Sequence, residues 1–133
     1  MAKLTFVPLP ERGVLSVSGE DTRKFLQGLI SNDTARVAPG TAIYAALLTA
    51  QGKYLHDFFV VQIGDALYLD CEAERRADLA KRLKIYKLRS KVDLEDATDR
   101  FAAYALPGAD AAALGLADAP GAARMADGGS IYV

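Results

Sequence analysis

The run from Thr41 to Cys71 limits the fold more than any other part of the chain. Three apolar segments, Ala42 to Thr49, Tyr54 to Ile63 and Ala66 to Cys71, are separated only by turns at Gln51-Gly52 and Gly64-Asp65. Short segments rich in β-branched and aromatic residues and punctuated by glycine read as strands, and tight connections force neighbouring strands to run antiparallel. A three-stranded meander follows, and the rest of the chain must supply what covers it.

Upstream, "LTFVPLPERGVLSVSG" gives two short strands divided by Pro8, Pro10 and Gly13, the second from Val14 to Ser18. In "SGEDTRKFLQGLISND", Ser18 stands three positions before Asp21 in a capping-box-like arrangement, and Phe25, Leu26, Leu29 and Ile30 recur at helical spacing. This predicts an amphipathic helix from Asp21 to Ser31. Gly28 falls inside it, where glycine costs about 1 kcal/mol relative to alanine, and close packing on another backbone is the expected reason. A second helix is expected in "EAERRADLAKRLKIYKLRSK", with Leu79, Leu83 and Tyr86 on its apolar face. Glu72 and Glu74 near its start and Lys84, Lys87 and Arg89 near its end suit the helix dipole. Strands are expected at Val92 to Ala97 and around Phe101 to Leu106. After Pro107 alanine and glycine dominate, Asp110 is a candidate cap for one helical turn, and Ser130 to Val133 looks like a strand caught in mid-course. The expected organisation is therefore a subdomain over residues 1–106 and an Ala/Gly-rich connection over 107–133, the whole being the front part of a longer protein.

With 133 residues, 51% of them hydrophobic, the chain can bury one ordinary core. Its formal net charge of −1 gives no general electrostatic reason to expect nucleic acid or an anionic membrane as partner. The single cysteine, Cys71, excludes an intrachain disulfide, and His56, the only histidine, excludes the usual Cys/His metal spacings. No apolar run reaches the roughly 18 residues that would cross a bilayer, and no signal-peptide pattern opens the chain, so the expected location is the cytoplasm. Cys71 precedes acidic residues that would raise a thiol pKa, which points to a structural role. The cluster Lys81, Arg82, Lys84, Lys87, Arg89 and Lys91 reads either as a solvated helix face or as a receiver for phosphate, RNA or a polyanionic tail.

Two polar residues interrupt the longest strand. Alternation puts Leu55, Asp57, Phe59, Val61 and Ile63 on one face and His56, Phe58, Val60 and Gln62 on the other, so Asp57 is expected on an apolar face. A carboxylate there must meet donors, a cation or a ligand, or take up a proton. Two readings stand: Asp57 reaches water or backbone N–H groups near the Gly52 turn, or it anchors a ligand at the mouth of a pocket, for which a heterocycle with an exocyclic amine and a ring N–H is the natural partner. His56 faces the other way, with no Ser or Cys placed beside it to complete a nucleophilic triad. Tyr44 and Tyr54 could stack on a ring or simply pack.

The ordered set "VSGEDTRKFLQGLISND", "LLTAQGKYLHDFFV" and "YKLRSKV" resembles the N-terminal part of the YgfZ family, over roughly residues 4–106. These are folate-binding proteins related to the glycine-cleavage T-protein, an aminomethyltransferase, and linked to iron–sulfur cluster assembly or repair. The resemblance implies an α+β, T-protein-like folate-binding domain, this chain being its first subdomain in the order β-β-α-β-β-β-α-β with an antiparallel meander. It implies tetrahydrofolate as the ligand and iron–sulfur assembly machinery or client proteins as partners, with association of two copies through an exposed sheet edge as a further expectation. The T-protein carries two adjacent aspartates where this chain has His56-Asp57, and one of the two is set against the folate; one carboxylate remains here, which argues against aminomethyl transfer. Asn32 matches the asparagine at the end of the T-protein-like helix. Asp57, Asn32, Tyr44 and His56 are thus the folate-contact candidates, with turnover left open. The alternatives are a true aminomethyltransferase and a tRNA-modification factor using the basic helix. The Lys-Gly-Cys signature of the full-length family does not occur in the chain, nor does the tryptophan that some bacterial members carry near the first strands.

Overall fold

The structure, a computed structural model, describes residues 7–105 and the backbone of 123–126 and 129–132. Strands β1 (Val7–Pro8) and β2 (Arg12–Ser18) precede helix α1 (Thr22–Gln27); β3 (Ile43–Leu48), β4 (Tyr54–Ile63) and β5 (Ala66–Glu72) lead into helix α2 (Arg76–Lys87). β6 (Asp93–Asp96) and the two-residue β7 (Tyr104–Ala105) follow, and β8 (Ala123–Ala126) pairs with β9 (Gly129–Tyr132). The expected order of elements holds from β1 to β6. The expected cap at Asp110 lies outside the described residues.

The meander forms as the turn glycines require, Gly52 (φ 85°) and Gly64 (φ 61°) both taking the positive φ that glycine adopts without strain. β2 inserts beside β5 and β6 beside β2, giving an antiparallel sheet of order β3-β4-β5-β2-β6. A register shift at Leu47/Leu48 bulges the β3–β4 pairing next to the turn. One face carries Leu15, Val17, Phe58, Val60, Leu67 and Leu69, which form a single core cluster with Phe25 and Leu26 of α1 and Leu79 and Leu83 of α2. Each fully buried side chain of this size contributes about 1.5–3 kcal/mol by leaving water.

Several local expectations change. α1 ends at Gln27 rather than Ser31, and Ser18 makes no capping box: Asp21 is the N-cap without a side-chain cap bond, its carboxylate accepting instead from Lys91 N at 2.8 Å. Gly28 is the C-cap, and a Cβ there would meet nothing nearer than Phe25 O at 3.8 Å, so close backbone packing is not its reason. It stops the helix. Tyr86, expected on the buried face of α2, is exposed; the helix packs on the core through Leu79 and Leu83, with Ala80 beside them.

Among the described residues both sheet edges carry features that disfavour further strand pairing. At β3, Ser31 N donates to Ala46 O (2.9 Å), Ala46 N donates to Ser31 Oγ (2.8 Å), and Asn32 Nδ2 donates to Tyr44 O (3.0 Å). At the other edge β6 is short and carries Asp93, Glu95 and Asp96, charges that oppose pairing with a second copy of itself.

Candidate ligand-binding site

The alternation of β4 is as expected, but the face that the helices cover is the one without Asp57. His56, Phe58 and Val60 point into the helix-covered core, whereas Leu55, Asp57 and Phe59 are half-buried on the other face. The correction has a simple origin: both alternating sets are largely apolar, and the set without the carboxylate is the one the helices cover.

Asp57 does not stand alone there. Tyr44 on β3 is its diagonal neighbour, and the Tyr44 hydroxyl donates a hydrogen bond to Asp57 Oδ2. The bond raises the Tyr44 pKa above its ordinary value, because ionising the phenol would set an anion against a carboxylate. No described residue donates to Asp57 Oδ1. Tyr44 is 54% exposed, and its ring lies 5.2 Å from that of Phe59, with 52° between planes. Asn32 completes the arrangement at one remove: its amide holds the Tyr44 carbonyl while its own oxygen accepts from Asp33 N at 2.7 Å. The structure thus brings Asn32, Tyr44 and Asp57 together.

His56 is set apart from them. It is 3% exposed, and its Nε2 lies 2.6 Å from Asp78 Oδ2 on α2, an oxygen that also accepts from Arg82 Nε at 2.8 Å. These two donors, Arg82 foremost, hold the Asp78 carboxyl down at about 2. His56 is a strut between β4 and α2, with the thickness of the sheet between it and the Asp57 face. Tyr54, the other stacking candidate, lies under the Arg75 guanidinium, 5.9 Å from its ring centroid.

Sequence reasoning missed a second polar feature of the Asp57 face. Arg12 on β2 donates from Nε to Asp70 Oδ1 and from Nη2 to the Asp70 carbonyl, each at 2.8 Å. Asp70 pairs in register with Phe59, which places this ion pair beside the aromatic ring. The signal was available: Arg12 and Asp70 occupy alternating positions of two strands that the pattern made neighbours only once β2 had been inserted next to β5. Tyr68 and Phe101, packed edge-on at 5.0 Å, extend the same face. Cys71, in contrast, is buried on the core side and its thiol is pushed up to about 11, chiefly by burial.

An antiparallel sheet with helices on one face and a polar, aromatic-lined second face defines an α+β module of the T-protein kind. The solved structure of the glycine cleavage system aminomethyltransferase T from Bartonella henselae shares this fold, with a TM-score of 0.62 over 70% of this chain and 26% of that one at 17% identity. The family model of the GCVT N-terminal domain matches residues 10–118, and the chain belongs to that family. Curated relatives include proteins named iron-sulfur cluster assembly factor IBA57 homolog, mitochondrial. The one from Neurospora crassa is 37% identical over 65% of this chain and 21% of its own length. Those from Mycosarcoma maydis and Cryptococcus neoformans are 40% and 35% identical, over 66% and 83% of this chain and 25% and 29% of theirs. The chain therefore spans between about a fifth and three tenths of the length of these relatives. Their names overturn the expectation of a cytoplasmic protein. Free-cysteine usage reports a reducing compartment, not which one, and an organelle address is carried by targeting segments rather than by a folded core.

Proposed function

We propose that this chain is a tetrahydrofolate-binding module of a YgfZ-like protein that supports iron–sulfur cluster assembly. The observation that carries the reading is the Tyr44–Asp57 pair on the half-exposed aromatic face of the sheet. A pterin offers an exocyclic amine and ring N–H donors, which a carboxylate with an oxygen to spare accepts, and flat ring faces, which Tyr44 and Phe59 can meet. Tyr44 fixes the rotamer of Asp57, and Asn32 fixes the strand that carries Tyr44. His56 has no part in this contact. The names of the curated relatives support the assembly role, and the family supports the folate.

Folate, when bound, supplies the one-carbon chemistry. Strand alternation weakens the argument against aminomethyl transfer, because adjacent residues of β4 face opposite ways and His56 stands where only the core-side carboxylate of a pair would be. Asp57 keeps the carboxylate of the outer face, so formation of methylenetetrahydrofolate from an aminomethyl donor is worth assaying directly. The binding claim is tested by calorimetric titration of tetrahydrofolate into the protein and its Asp57→Ala and Tyr44→Phe variants. Loss of one charge-assisted hydrogen bond, about 1.5–3 kcal/mol, weakens binding on the order of tenfold to a hundredfold in Asp57→Ala. Equal affinity in the native protein and Asp57→Ala would remove Asp57 from the site.

A further inference from the structure

The C-terminal half of α2 carries a feature that neither the fold nor the folate site uses. Lys81, Lys84, Ile85 and Leu88 recur at the i, i+3, i+4, i+7 spacing of one helical face, opposite the buried Leu79 and Leu83. Ile85 is 61% and Leu88 86% exposed, so neither helps the core. Leu88 is also the one non-glycine residue at positive φ among the described residues (φ 43°), at the helix C-cap, next to where glycine commonly ends a helix. A branched side chain is thus kept in a strained backbone with its apolar surface in water, a combination that packing does not explain.

The surroundings are cationic. From Leu79 to Val92 the chain carries Lys81, Arg82, Lys84, Lys87, Arg89 and Lys91 and no acidic residue, against a formal charge of −1 for the whole molecule. Arg82 is engaged by Asp78 and Lys91 by Glu20, but among the described residues Lys81, Lys84, Lys87 and Arg89 make no ion pair. A groove of about 550 Å³ beside the helix has Ala77, Ala80 and Ile85 as its apolar lining; Asp96 of β6 also lines it but is ion-paired with Arg76 at 2.8 Å, which leaves Lys81 and Lys84 as the unpaired charges.

We infer that this ridge docks an acidic partner protein through an amphipathic segment, its carboxylates meeting Lys81 and Lys84 and its apolar side chains covering Ile85 and Leu88. Charge complementarity selects the sign of the partner, and the two aliphatic residues select its class. RNA phosphates would satisfy the cations and leave Ile85 and Leu88, which have no ring face for a base, without a role. The surface lies on the helix side of the sheet, so it is independent of ligand binding at Asp57.

The test uses fluorescence anisotropy with two labelled probes, a peptide of glutamate and leucine at helical spacing and a poly-uridine strand of equal charge. The variants are Lys81→Glu/Lys84→Glu and Ile85→Ser/Leu88→Gly, with Leu88→Gly alone as a second apolar variant that relieves the backbone and keeps the fold. The expected result is peptide binding that weakens about tenfold in the charge variant and severalfold in either apolar variant, with the RNA bound more weakly than the peptide. Peptide binding untouched by the apolar variants, RNA bound more tightly than the peptide, or no peptide binding at all would each overturn the proposal.

Discussion

Asp57 and His56 are adjacent in sequence and separated by the sheet in space, and their variants should therefore fail in different ways. Asp57→Ala, half-exposed, is expected to leave stability within about 0.5 kcal/mol while lowering folate affinity. His56→Ala removes a buried ring and its bond to Asp78, and should cost about 2–4 kcal/mol in urea unfolding. Asp78 and Asp96 set an acid limit. Asp78 titrates at about 2 in the folded protein against an ordinary 3.8, held down by Arg82 and His56; Asp96 is likewise lowered to about 2, with the Thr98 hydroxyl as the first cause. A depressed folded pKa means that the stabilisation is present above about pH 4 and is lost as pH falls toward 2. Unfolding midpoints measured across that window should drop, and less steeply in Asp78→Asn. Cys71, with its thiol raised to about 11, should resist alkylation at neutral pH until the protein unfolds.

At the level of elements, the strands were more legible than the helices, for reasons visible in particular residues. Tyr54–Ile63 was bounded on both sides by turn glycines, so its limits could be read directly. α1 was overextended because Leu29 and Ile30 keep helical spacing beyond its end; Ile30 in fact bridges to Leu47 on β3, a tertiary pairing that no local pattern encodes. The loop that does this work, Ser31-Asn32, is what seals the β3 edge. Asn32→Ala should free the Tyr44 carbonyl, cost about 1 kcal/mol, and weaken folate binding only severalfold, since the residue acts through the strand and not on the ligand. α2 was recognised, but its outward face was not: a periodicity search looks for the apolar stripe that is buried, and Ile85 and Leu88 lie on the side it discards. Relief of the Leu88 backbone by glycine should raise stability by about 1 kcal/mol, a gain that would mark the native leucine as kept for something other than folding.

Across the whole molecule the two sheet faces divide the labour. The helix side holds the core, the His56 strut and the basic ridge; the other side holds Asp57, Tyr44, Phe59 and the Arg12–Asp70 pair. That division explains why the site was only half legible: the carboxylate was singled out by its chemistry, but which of two apolar faces the helices cover depends on β2 and β6 joining the meander, a long-range choice that alternation within β4 does not contain. The most direct measurement is therefore one that reports the face on which the ligand sits. Intermolecular nuclear Overhauser contacts between bound tetrahydrofolate and the aromatic side chains should connect the pterin protons to the rings of Tyr44 and Phe59. Contacts to the His56 ring or to α2, or saturation with tetrahydrofolate that leaves the Tyr44 and Phe59 resonances unmoved, would contradict it.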